Sequence, residues 1–351
     1  MIAIKDPRDR RELGHTFEPA TRLRLKRFER TKTWLTVLTA LGDHAAVYLI
    51  MIAMAIAISH PAGWLLLPLA WVLIARFQRG LENLVHEGAH YNWARPINGV
   101  SPRVNDLLAN SLAAVPMFTD VDQMRGPHRQ HHVGFGGDTD PDLARYEILG
   151  IDDLDRANAP AFCLAVARRI GTYTVGWWKA VGTNPGTVAK SLTWHALVYV
   201  LPLSMAFGFT NALFVWTAVW LAGFTFGLSM LRFFAESAKH RYTGTTSVFT
   251  ATISNLGLVH QAYLHPHGDG HHLLHHLNPN VPHHALKAAH AFLLANDEAY
   301  ANGSLERLHV FEHAAPSGAC CSSCTGHCPR ARQARRRPTP RYRHDPSNKP
   351  N

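Results

Sequence analysis

Charge is what two long parts of this sequence lack. No Asp, Glu, Lys or Arg occurs from Ala45 to Ala75, 31 residues, or from Ser191 to Leu231, 41 residues. Buried helices of a soluble protein rarely go so long without charge. The first stretch is too long for one membrane span and tight for two of about 17 to 25 residues each. The second makes roughly 60 Å of helix, enough to cross a ~30 Å hydrocarbon core twice. Cysteine is also scarce. Of five, Cys163 stands alone and Cys320, Cys321, Cys324 and Cys328 share one short tract. Cytosolic thiols are usually reduced, so no disulfide framework is expected. With His327 the tract has the elements of a zinc site, but its spacing is irregular and no second ligand pair follows, so a flexible tail is expected there. The first thirty residues are charged and contain no apolar core with a cleavage site, so no signal peptide is expected.

Positive charge sits at the two ends and accounts for much of the net +10. Arg8, Arg10, Arg11, Arg22, Arg24, Lys26, Arg27, Arg30 and Lys32 crowd one end; Arg330, Arg332, Arg335, Arg336, Arg337, Arg341 and Arg343 crowd the other. Nucleic acid can attract such charge. Basic residues beside apolar spans point instead to the cytoplasmic face of a membrane, and no nucleic-acid partner is expected.

Turn residues divide each charge-free stretch. Pro61 and Gly63 fall inside the first, and Gly208 and Asn211 inside the second. The expected architecture is an all-α integral membrane protein with four spans, near 38–58, 62–78, 191–209 and 212–232, arranged as two hairpins under a cytoplasmic helical cap. Asp43 and His44 must then lie near headgroups or face other helices. Residues 104–118 and 161–182 mix apolar residues with charge and suit helices lying in the interface plane. Residues 1–34 form a basic cytoplasmic segment, 35–294 the membrane domain, and 295–351 a C-terminal segment expected to be disordered from about 316.

The 24 histidines are not evenly spread. His86 and His90 read H-E-G-A-H; His128, His131 and His132 read H-R-Q-H-H; His272, His275 and His276 read H-L-L-H-H. Residues four apart share a helix face, so each group can aim several imidazoles at one place. Two hairpins return all three groups to one membrane face. Haem-binding histidines would sit inside spans, and transport ligands near the midplane; these groups lie outside both. Imidazole suits iron, zinc, copper and nickel, and spacing does not choose among them. Eight rings exceed the four ligands of a structural zinc and are about right for two metals.

His240 is a ninth candidate, just past the last span, with Glu236 four residues before it either ligating or pairing with Lys239 or Arg241. Asp138, Asp140, Asp142 and Asp269, and also His265, His267, His271, His283, His284 and His290, are candidates to support the ligands from outside. The D-T-D-P-D run opens like a calcium loop, but Leu143 and Leu149 occupy the required Gly and Glu positions. The H-P-A-G at His60 only faintly echoes a haem motif and falls in a hairpin turn.

The three boxes, their order and the intervening hairpin resemble the membrane fatty acid desaturase superfamily. The most specific part is G-H-H-L-L-H-H-L-N-P-N-V-P-H-H-A-L, with Pro279 and Pro282 in a P-x-x-P turn. The likeness covers about Leu35 to Leu294. It implies two Fe2+ ions held by the boxes and by a histidine after the fourth span, here His240. Some members have Asn where Glu236 stands. The shorter spacing of the first box occurs in desaturases and also fits hydroxylases and ketolases. The resemblance further implies O2 as co-substrate, attack on an unactivated C–H bond and no Ser or Cys nucleophile. Its expected partners are an acyl-lipid, acyl-CoA or acyl-carrier substrate and an external donor of two electrons, a ferredoxin or flavin reductase. A small amino-acid-derived or secondary-metabolite substrate is the alternative. The composition fits a bacterial plasma membrane.

Overall fold

The computed structural model describes residues 15–95, 101–181, 184–245 and 247–317. The cysteine tract, the C-terminal arginines and the most N-terminal of the basic residues lie outside them, as does the disorder expected after 316, apart from Ser317. A short helix α1 (Pro19–Leu25) leads to α2 (Thr33–Ala57), and a 3-10 turn over Pro61–Leu66 runs straight into α3 (Leu67–Ala89). α4 (Pro102–Ala109) continues through tighter and wider turns to Met117. Then come α5 (Val121–Gly134), α6 (Pro141–Leu149) and α7 (Ala159–Val181). A wide turn joins α8 (Pro185–His195) to α9 (Leu201–Phe207), and two more lie between α10 (Phe209–Val215) and α11 (Ser229–Glu236).

Among the described residues three helices are long and apolar enough to cross a membrane: Thr33–Ala57, Pro61–Ala89 and Phe209–Glu236. The span expected at 191–209 falls on the continuous helical run Pro185–Phe207, whose first half carries Lys190, Trp194 and His195. The second expected span ends near 78, but its helix runs on to Ala89 and carries His86 itself.

The long helices bury small and apolar faces against one another. Gly223 and Gly227 lie against Ile74, Trp71 and Ala75 of α3, where any β-carbon would collide with those neighbours. Small residues let two helix backbones approach where lipid offers no hydrophobic drive. Gln78 reinforces the contact by donating to the Trp220 carbonyl. Asp43, inside α2, is not lipid-exposed: Arg76 donates to it at 3.0 Å and His267 at 2.6 Å. Trp177 and Trp178, in the segment expected to lie in the interface plane, are partly buried against Phe224.

The chain ends in a smaller layer: α12 (Val248–Ala251), α13 (His272–Leu277), α14 (Leu286–Asn296) and α15 (Glu298–Gly303). α1 folds back onto this layer, and Leu25 joins Leu273, Leu274, Leu286 and Leu293 in one buried cluster. The all-α expectation omits a small sheet. β1 (Ile253–Asn255) pairs in parallel with β2 (Leu305–Arg307), and β2 pairs antiparallel with β3 (Ala315–Pro316). Strands of two or three residues carry too little alternation to be seen in a sequence.

Candidate metal centre

Four separate parts of the chain supply the histidines. His86 stands on the last turn of α3 and His90 caps its end. α5 carries His128, His131 and His132, and α13 carries His272, His275 and His276. His240 follows α11 and is held by a bridge to Thr252 and by its amide donating to the Tyr146 hydroxyl. Ligand atoms of His86, His90, His128, His132 and His275 all lie within 4.8 Å of one another, and those of His131, His240 and His276 form a second such group. His272 joins the second, its Nε2 2.9 Å from that of His240.

Each H-x-x-H-H box is therefore shared between two clusters. The cause is helix geometry. At about 100° per residue, the first and fifth positions stand close in angle, whereas the fourth points to the side. In α5 the pair His128 and His132 goes to the first cluster and His131 to the second. In α13 the pair His272 and His276 goes to the second and His275 to the first. The clusters touch: the rings of His132 in the first and His276 in the second are 4.6 Å apart.

The inner nitrogens meet each other. His128 Nε2 lies 2.7 Å from His90 Nε2 and 3.0 Å from His132 Nε2, which lies 3.0 Å from His275 Nε2. Burial lowers the pKa of His128, His240, His272, His275 and His276 well below 6.5, and neighbouring imidazoles lower them further. For His132 the same causes bring it down to about 3. Neutral imidazole is the metal-binding form. Convergent neutral nitrogens, more than one tetrahedral ion can use, fit two metal ions in neighbouring positions.

A charged layer surrounds the rings. Asp140 accepts from His131 Nδ1 at 2.8 Å, from Tyr242 Oη at 3.3 Å and from the amides of Gly136 and Asp142, each at 2.9 Å. Burial alone would raise its pKa; the hydrogen bond and charge of His131 and the two amides hold it below the usual range. Asp142 pairs with Arg145 at 2.9 Å, and Asp138 is exposed. Asp269 accepts from Lys239 at 3.0 Å, from Arg79 at 3.3 Å and from His265 Nδ1 at 3.0 Å. It also lines a small cavity beside His86 and His275, together with Glu87 and His267. Glu236 is not among the clustered donors; it is turned toward Arg79 at 2.7 Å, Lys239 at 3.5 Å and Arg145 at 3.6 Å.

The other histidines stay outside. His267 bonds Asp43, His283 lies 3.2 Å from the Thr36 hydroxyl, and His284 accepts from the Lys32 amide. His290 bonds the Tyr300 hydroxyl, with His271 packed beside it. Sequence reasoning missed Arg79, Tyr146 and Tyr242. Arg79 had a readable signal, lying two helical turns before His86 on the same face. Tyr242 had none, since its contact with Asp140 joins residues about a hundred positions apart.

The fatty acid desaturase family model matches residues 62–305. Among curated proteins, the chain is similar to dihydrorhizobitoxine desaturase of Bradyrhizobium elkanii, with 27% identity over 240 residues covering 62% of this chain and 65% of that protein. It is also similar to the chloroplastic omega-6 fatty acid desaturase of Spinacia oleracea, with 25% identity over 295 residues covering 78% and 61%. The chain thus spans less than two thirds of the length of each relative.

Proposed function

The chain belongs to the fatty acid desaturase family, and on that basis we propose that it is a membrane-bound, O2-dependent di-iron oxidoreductase that removes two hydrogens from an acyl chain to leave a double bond. The observation that carries this reading is the meeting of nine imidazoles from four chain segments in two adjoining clusters. His86, His90, His128, His132 and His275 would hold one iron, and His131, His240, His272 and His276 the other. When bound, the irons would supply reductive activation of dioxygen and oxidation of an unactivated C–H bond.

The protein's own part is to keep these rings neutral and rigid. Burial does the first, and the helical mounting of α3, α5 and α13 does the second. Two electrons must come from outside, from a ferredoxin or flavin reductase. The substrate is an acyl group on lipid, coenzyme A or carrier protein. The same donor set serves a hydroxylase or ketolase, in which oxygen is added instead. A second reading, a small amino-acid-derived or secondary metabolite as substrate, is favoured by one observation: a similar desaturase is named for dihydrorhizobitoxine and not for a fatty acid.

Topology follows from the centre. Pro61–Ala89 and Phe209–Glu236 both end at the clusters, so the start of the latter lies across the membrane and the chain must cross once between them. Pro185–Phe207, about 35 Å long at 1.5 Å per residue, supplies that crossing and makes four spans. Arg22, Arg24, Lys26, Arg27, Arg30 and Lys32 precede the first span and favour the cytoplasmic side for the centre, in a bacterial plasma membrane.

The test is expression with a compatible reductase, iron analysis, and mass spectrometry of lipids and metabolites. About two irons per chain and a product two hydrogens lighter are expected. A gain of one oxygen would make the enzyme a hydroxylase. Active protein without iron would overturn the reading.

A further inference from the structure

Among the described residues, His131 is the one clustered imidazole whose outer nitrogen meets a carboxylate. Both partners are sealed from solvent, His131 at 2% exposure and Asp140 at 1%. The outer nitrogens of His240 and His272, in the same cluster, are buried and meet no acceptor. Phe135 and Tyr242 pack against the ring of His240, and Phe135 also against those of His131 and His276. Among the described residues, a carboxylate thus anchors the rings of the second cluster through one link, Tyr242 to Asp140 to His131.

That link has a chemical consequence. With Nδ1–H committed to Asp140, the His131 tautomer is fixed and its Nε2 lone pair faces His276 and His240. A carboxylate on the far nitrogen also makes an imidazole a stronger donor. Among the described residues no ring of the first cluster donates to a carboxylate, although the charge of Asp269 reaches His86 across the small cavity they share. The field of Asp140 does reach His132, but as the smallest of the influences on that ring.

We propose that Asp140, oriented by Tyr242, is a positioning residue for one metal position only, that of His131, His240, His272 and His276, so that the two positions are chemically unequal. This rests on the metal-centre reading and adds to it a division of labour that the boxes do not reveal.

Asp140 also caps α6, accepting from the Asp142 amide, so its replacement must preserve the cap. Asn caps a helix about as well as Asp, which makes Asp140→Asn the informative variant. Metal-depleted protein in detergent is titrated with Co2+, following its visible absorption bands, with circular dichroism as a check on folding. Wild type is expected to bind two equivalents. Asp140→Asn is expected to weaken one equivalent about 10- to 100-fold and leave the other unchanged. Tyr242→Phe, which keeps the ring and removes only the hydroxyl, is expected to weaken the same equivalent by less. His131→Ala should remove that equivalent altogether. Equal weakening of both equivalents, or unchanged binding in both Asp140→Asn and Tyr242→Phe, would overturn the proposal. If Asp140→Asn fails to fold, Tyr242→Phe decides alone. Absence of any Co2+ binding by the wild type would strike at the metal-centre reading itself.

Discussion

Glu236 and His240 stand four residues apart where a helix ends, yet they face different surroundings. His240 turns to imidazoles and Glu236 to guanidinium and ammonium groups. Exchanging them in function is therefore not expected. Glu236→Gln should retain wild-type iron content while losing about 3 kcal/mol of stability, because removing one member of a buried ion pair strands the other. Chemical denaturation and metal analysis on the same preparation check both halves. Loss of iron in that variant would return Glu236 to the ligand set. His276→Ala should show the converse, with folding intact and roughly one iron missing.

At the scale of elements, the contact between α3 and the Phe209–Glu236 helix sets the depth of the centre, since both helices end there. It depends on missing side chains at Gly223 and Gly227. Gly227→Leu should cost about 1–3 kcal/mol by overpacking, seen as a lower melting temperature in detergent. The proposed four-span arrangement makes its own prediction. A cysteine placed at Asn211 should react with a membrane-impermeant maleimide added outside intact cells, whereas one at Arg129 should react only after lysis. Labelling of both from outside would break the topology.

For the whole molecule, the rings impose a pH dependence. In the fold His132 is neutral down to about pH 3, and several companions also stay neutral well below 6.5. The unfolded chain protonates them near 6.5. Below that value the unfolded state binds more protons, so stability falls with pH. Metal-free protein should melt at a lower temperature at pH 5.5 than at pH 7.5; the reverse order would contradict burial of the rings. How much of this was readable varies by feature. The charge-free runs located the long helices, box spacing pointed to eight of the nine histidines that meet, and the place of His240 just past the last span pointed to the ninth. Helix periodicity also held the division of each box, since fourth and fifth positions point apart. Three things were hidden. The extension of the second long helix to His86 carries charge, so the expected span stops near 78. The pairing of Asp43 with Arg76 and His267 joins distant residues. Tyr242 gains its role from Asp140, which no local pattern connects to it.

The centre draws on residues from His86 to His276, and the last three stand on α13, near the end of the described chain. On a ribosome that helix emerges after every long apolar helix has been made. A nascent chain would therefore carry the earlier imidazoles before their partners exist. On the proposed function, loading with metal would then be a late event in biogenesis, after insertion into the bilayer, and the ions would act as the final fastener between the amino- and carboxyl-terminal halves.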